Sequence, residues 1–339
     1  CLEAFGASQD IFFGGDAEKW MKYANSLALR YYMRLSEKDP GYAQAGVTAT
    51  LAKPLISSVD EECALAYIGT PVAIPIKVVA AADVPGGEDD VVVDGVRYIN
   101  EETLADNGLK IYDKNTWKAD RLAGLSLVDT SSTYVGLPVS YQGSEPYTYN
   151  LNPNPVQGGG NVHVSLMNDQ FKEASGDFLK ARVLSYAEVC FLKAEAALKG
   201  WGTDAEGNYN KGVQASLDTW GIGDEYADYI DNAEVAFDGT LAQIMEQKWI
   251  ANFATASEAY LDWRRTGLPD LQTGPFALSS VIPVRFQYPD EERNINEANY
   301  NAALSSLETT SHTNDVPGKY ENDTPWSKPW ILQGVTKPW

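Results

Sequence analysis

Chemistry-bearing side chains are scarce in this chain of 339 residues, which holds only three cysteines and two histidines. Cys1, Cys63 and Cys190 are too few and too scattered for a disulfide framework or a cysteine zinc site. His163 and His312 alone do not make a multi-histidine metal centre. No window of about 18 apolar residues exists, so no segment reads as a membrane-spanning helix. Positive charge is also short: 26 Lys and Arg stand against 47 Asp and Glu, a net charge of −21. That balance argues against nucleic acid or an anionic lipid surface as a partner.

Apolar side chains are plentiful. Hydrophobic residues make up 44% of the chain, enough for a sizeable core in one large domain or two ordinary ones. Nine Trp, nineteen Tyr and ten Phe accompany the acidic charge. Acidic surfaces rich in Trp and Tyr are common in carbohydrate-handling proteins, although core packing accounts for most aromatics.

Arg182–Trp220 (RVLSYAEVCFLKAEAALKGWGTDAEGNYNKGVQASLDTW) is the most strongly patterned stretch. Leu184, Ala187, Phe191, Ala194 and Leu198 draw one helical stripe; Val183, Ala187, Cys190, Ala194 and Ala197 draw a second. A helix apolar over that much of its circumference packs on two sides, and Cys190 reads as a plain buried thiol. After Gly200-Trp201-Gly202 a second helix is predicted over Ala205–Trp220, with Gly212, Ala215 and Ser216 facing inward. Such a close-packed hairpin is the unit of tetratricopeptide-type repeats.

Upstream, Asp16 is a good N-cap for a helix through Trp20, Ala24, Leu27, Tyr31 and Leu35, which Pro40-Gly41 is expected to close. A second helix is expected from Ser57 or Ser58 to Tyr67, because Ser58 and Glu61 have capping-box spacing. From Gly69 to Asp177 the chain turns Gly-, Pro- and Asn-rich. Asp94-Gly95 between apolar runs predicts a hairpin there, and Tyr141–Gly160 cannot be a regular element. So long an irregular span is expected to be ordered and functional. Downstream, Asp238 or Thr240 caps a helix whose buried face is Leu241, Ile244, Met245, Lys248, Trp249 and Phe253. Ser257 caps another that ends at Gly267. Val281–Pro289 reads as an extended ledge, Glu291–Leu307 as one more helix, and the Trp- and Pro-containing tail as irregular. Trp20, Trp249 and Trp263 are expected in the core, and Arg30, Arg34, Arg264 and Arg265 as anchors between helices. A calcium site at Glu88, Asp89 and Asp90 matches no recognised ligand spacing.

Four motifs then coincide. Asp10–Ser36 (DIFFGGDAEKWMKYANSLALRYYMRLS) resembles the D-x-[IL]-[YF]-x-G-D-x-x-K-W-x-K-[YF]-A-N-S-L-x-L-R pattern of the SusD/RagB family. The Leu184–Trp201 segment is similar to its L-S-Y-A-E…A-E-A…G-W signature. Gln247-Lys248-Trp249 with Glu258–Gly267 (EAYLDWRRTG), and Ile282–Pro289 (IPVRFQYP) with Glu292 and Asn296, resemble its later motifs.

The resemblance implies a mainly α fold: tetratricopeptide-like helical hairpins with long irregular ligand-binding loops and a few short strands. It implies one SusD-like domain over 1–339, helical over 1–68, a loop-rich insert over 69–177 as the ligand face, a helical repeat frame over 178–267, and an extended segment over 268–339. It also implies a non-catalytic cell-surface lipoprotein of the outer membrane that captures oligosaccharide for a SusC-like TonB-dependent transporter, or peptide in the RagB branch. No cofactor is called for. Membrane attachment is expected only through an N-terminal lipid anchor. Family members carry a helical segment between the lipid-bearing cysteine and the G-D-x-x-K-W helix, so Cys1 is better read as the start of a fragment than as that cysteine.

Sugar binding uses flat aromatic faces with neighbouring amides, on loops held by a rigid scaffold. Tyr141, Gln142, Tyr147, Tyr149, Asn150, Asn152 and Gln157 are therefore the first candidates, and Trp117 and Tyr134 the second. A glycoside hydrolase requires two carboxylates at fixed separation in a cleft, and no spacing singles out a pair. An intracellular repeat scaffold predicts regular helical repeats from end to end, which the irregular span opposes.

Overall fold

The computed structural model of the chain describes residues 9–68, 76–79, 90–93, 96–100, 175–273, 277–315, 322–335 and 337; side chains are described over 9–66, 180–273, 277–315, 322–335 and 337. The chain forms two compact units, one of residues 1–67, 176–272 and 278–339, the other of 68–175 and 273–277. Among the described residues nine α-helices and two small sheets are present, so the fold is mainly α.

The first unit opens on an aspartate-centred turn. The Asp10 carboxylate accepts from the N–H groups of Phe12, Phe13 and Gly15 and, at 2.7 Å, from the Trp20 indole. Gly14 and Gly15 take φ of 62° and 88°, which lets the chain double back onto the next helix. Asp16 then caps α1 (Ala17–Arg34), accepting from Glu18 and Lys19. Pro40 does not close α1 but begins α2 (Pro40–Leu51) behind the Asp39 cap. At a first helical position its missing N–H has no intrahelical partner to lose.

No helix follows at Ser57–Tyr67. Glu61 instead accepts from the Ser57 N–H and hydroxyl and pairs with Lys22 at 2.5 Å, which leaves only a single 3₁₀ turn at Val59–Glu61. The alternating CALAYI that follows is strand β1 (Cys63–Ile68), paired with β5 (Ser175–Leu184). Arg182–Leu184 thus belong to this strand, not to the helix.

The expected hairpin is α3 (Tyr186–Leu198) and α4 (Ala205–Thr219), capped by Ser185 and Asp204. Both end in a Schellman arrangement, with Gly200 and Gly221 left-handed and Trp201 and Ile222 donating to Ala196 and Leu217. Ala187 through Leu192 are all buried, as are Ala194, Glu195 and Ala196, so the helix is packed nearly all round, with Leu198 exposed. A β-carbon on Gly212 would lie 2.9 Å from the Phe191 ring, which is why this crossing needs glycine. Phe191, Tyr209, Val213, Ile244 and Met245 form the largest core cluster.

Helices α5 (Tyr226–Ile230), α6 (Leu241–Ala251) and α7 (Ala256–Thr266) complete the frame. Thr240 caps α6, but Thr255, not Ser257, occupies the cap position of α7. Trp249 and Phe253 are 44% and 57% exposed, contrary to their expected burial, whereas Trp263 packs with Val284 and Leu332. Trp20 is half-buried against Phe12, Phe13 and Tyr23. The single helix expected over Glu291–Leu307 is broken at Asn296 into α8 (Asp290–Ile295) and α9 (Glu297–Ser305).

In the second unit β4 (Val96–Asn100) is central, parallel to β2 (Ile76–Val79) and antiparallel to β3 (Asp90–Val93). Val93 faces Val96, the two-residue hairpin register that Asp94-Gly95 predicts.

Candidate functional site

The predicted ligand residues Trp117, Tyr134, Tyr141, Gln142, Tyr147, Tyr149, Asn150, Asn152 and Gln157 lie outside the described residues, as do His163 and the side chains of Glu88, Asp89 and Asp90. What is described is the frame from which that segment departs at β1 and to which it returns at β5.

The residues of the first motif anchor the approach to β1. Lys19 donates to the Asp60 carbonyl, Asn25 to the Pro54 carbonyl, and the Ser26 hydroxyl accepts from the Ile56 N–H, each at 2.9 Å. Glu62 then accepts from the Tyr186 N–H at 2.8 Å and lies 3.6 Å from Arg182 on β5. Burial raises the Glu62 carboxyl, against the Tyr186 N–H and Arg182, which pull it down. Outgoing and returning strands are thereby tied to each other and to the start of α3.

Behind them, buried charges lock the helices together. Arg30 of α1 forks onto Glu188 of α3 with bonds of 2.7 and 2.6 Å and gives a third, of 2.6 Å, to the Val183 carbonyl at the end of β5. Arg34 pairs with Glu258 of α7. Arg265 of α7 forks onto Glu195 of α3 at 2.5 and 2.8 Å and also reaches Asp262 and Ser36. Lys248 of α6, 2% exposed, meets Asp262 at 2.6 Å. Burial pushes the Asp262 carboxyl up, but Lys248 and then Arg265 outweigh it and hold it at about 2.

The arginines expected as anchors therefore anchor, with Arg264 reaching the Val284 carbonyl rather than an acid. The sequence reading did not name Glu188, Glu195 and Glu258 as their partners, nor Lys248 as the partner of Asp262. The available signal was two acids seven residues apart in a helix apolar on every side; that spacing puts both on one face.

Burial pushes the Cys63 and Cys190 thiols up to about 11, away from reactive thiolate. Among the described residues no three acids, histidines or cysteines gather to hold a metal, and no helix is long and apolar enough to cross a membrane.

The family model described as "Starch-binding associating with outer membrane" (SusD-like) matches residues 2–289. Solved structures similar in fold include a chitin-binding protein (24% identity, 95% of this chain and 66% of that one, TM-score 0.60). Others are SusD homologues from Bacteroides fragilis NCTC 9343 (21%, 95% and 69%, 0.62) and Bacteroides vulgatus ATCC 8482 (24%, 98% and 66%, 0.62). The chain thus spans about two thirds of the length of these neighbours. No curated protein matches. With more than four fifths of its length under the family pattern and a mainly helical frame held by that pattern's own charged residues, the chain belongs to the SusD-like family of starch-binding proteins that associate with the outer membrane.

Proposed function

We propose that this protein binds a glycan without chemical turnover at the outer surface of the outer membrane, as a lipid-anchored lid that hands its ligand to a SusC-like TonB-dependent transporter. The observation that carries the reading is the family match over residues 2–289, whose description is starch binding at the outer membrane. A chitin-binding protein among the structural neighbours is consistent with a polysaccharide ligand. The frame's buried acids Glu188, Glu195 and Asp262 are each held by arginine or lysine, which suits a rigid support better than acid–base work.

The ligand is assigned to Tyr141, Gln142, Tyr147, Tyr149, Asn150, Asn152 and Gln157, with Trp117 and Tyr134 contributing. Each tyrosine offers a ring face to a pyranose, and each amide offers a donor and an acceptor to hydroxyls. Calorimetry or affinity electrophoresis on a panel of starch-, chitin- and other glycan-derived oligosaccharides tests the reading. Binding to one of them, lost when Tyr141, Tyr147 and Tyr149 are replaced together by alanine in a folded variant, supports it. Binding of short peptides but no glycan would move the protein to the peptide-capturing branch, and shortened oligosaccharides after incubation would make it a hydrolase. Co-purification with a TonB-dependent transporter from native membranes tests the delivery step.

A further inference from the structure

Six of the seven arginines with described side chains face a carboxylate: Arg30, Arg34, Arg182, Arg265, Arg285 and Arg293. Arg264 faces none among the described residues. Its Nη1 donates to the Val284 carbonyl at 2.9 Å, its guanidinium lies 4.9 Å over the Tyr260 ring, and its Nε is buried without a hydrogen bond. Arg264 lines a cavity of about 20 Å³ together with Arg34, Arg265, Glu37, Leu261 and Leu332. Arg265, only 4% exposed, likewise has a buried Nε without a partner.

The neighbouring acids are already committed. Glu37 is paired with Lys199 at 2.8 Å, Glu258 with Arg34, and Glu195 and Asp262 with Arg265. Burial accordingly disfavours the charged form of Arg264, with only the Tyr260 oxygen opposing it. Arg264 is half-buried, and a guanidinium partly withdrawn from water without a counter-charge carries part of the cost of a buried ion. A water in the cavity would satisfy a donor but not the charge. An anion satisfies both, and the space admits one particle of about water size. Apolar Leu261 and Leu332 suit a weakly hydrated ion.

We propose that this cavity is a halide site, with one chloride accepting from the Arg264 Nε–H and balancing the Arg264 charge. The test compares thermal unfolding in sodium chloride or bromide with sodium gluconate at equal ionic strength. Halide at tenfold its Kd is expected to raise Tm by about 2 °C, rising further only with the logarithm of its concentration, and Arg264→Gln to remove the difference between salts. Equal Tm in the two salts for the wild-type protein, or an undiminished difference in Arg264→Gln, overturns the proposal. Should Arg264→Gln fail to fold, wild-type crystals grown in bromide decide it. An anomalous peak within hydrogen-bond distance of the Arg264 Nε supports the site, and a cavity without one overturns it.

Discussion

Replacing Glu188 by leucine removes the acid that meets Arg30 at the junction of α1, β5 and α3. Both groups are buried, at 2% and 4% exposure, so water cannot take over the lost contacts. Breaking a buried pair from one side costs about 3–5 kcal/mol, since the other charge is left without its partner. Here Arg30 keeps the Val183 carbonyl and has Glu258 at 3.6 Å, which places Glu188→Leu near the lower end, at about 3 kcal/mol. Arg30→Met leaves both the Glu188 carboxylate and the Val183 carbonyl unserved, and about 4 kcal/mol is expected. The double variant removes both charges, and well-packed apolar replacements of a buried pair are often neutral. It should therefore cost only about 1–2 kcal/mol, mostly for the orphaned carbonyl. The coupling between the two sites then exceeds about 4 kcal/mol. Urea unfolding followed by tryptophan fluorescence measures each value from the midpoint and slope. Single costs below about 1 kcal/mol that simply add in the double variant would refute the claim that this pair is a desolvated clamp.

Gly212→Ala should destabilise by about 1–3 kcal/mol despite alanine's better helix propensity, because the new methyl meets the Phe191 ring; an unchanged urea midpoint would contradict that packing. Asp262, held at about 2 against an ordinary 3.8, stabilises the fold above the unfolded value, and that contribution is lost as pH falls from about 4 through about 2. The stability advantage of the wild-type protein over Asp262→Asn should thus shrink across that window, and an advantage that grows on acidification would show the sign to be wrong. Cys63 and Cys190, buried and pushed up to about 11, should resist iodoacetamide at pH near 8 until urea unfolds the chain, as peptide mass mapping can follow; rapid native labelling of either would contradict their burial.

The elements legible in the sequence are those fixed by nearby residues. Asp16 and Thr240 cap the helices they were expected to cap, and Asp94-Gly95 joins the strands it was expected to join. Local signals failed where a distant partner decides. Ser58 and Glu61 have the spacing of a capping box, yet Lys22 and Ser57 take the Glu61 carboxylate and CALAYI goes to a strand. Trp249 falls on the expected buried stripe of α6, but helical spacing names a face without naming what covers it. The ion pairs had half of their members readable, because the arginines were expected as anchors while nothing local says which cation Glu188, Glu195 or Glu258 meets. The candidate ligand residues Tyr141–Gln157 rest on composition and position alone. No periodicity governs such a stretch, and none of the four recognised motifs falls in it.

The pairing of β1 with β5 changes what an insertion between them costs. In polymer terms the segment is a ring whose ends are already closed by the strands and by the Glu62 contacts to Tyr186 and Arg182. Ring-closure entropy grows only with the logarithm of length, about 0.6 kcal/mol per doubling for a flexible chain. A frame that has closed the ring can accept a longer, shorter or wholly different segment with little change to its own stability. Exchanging one closed ring for another then leaves the helices untouched.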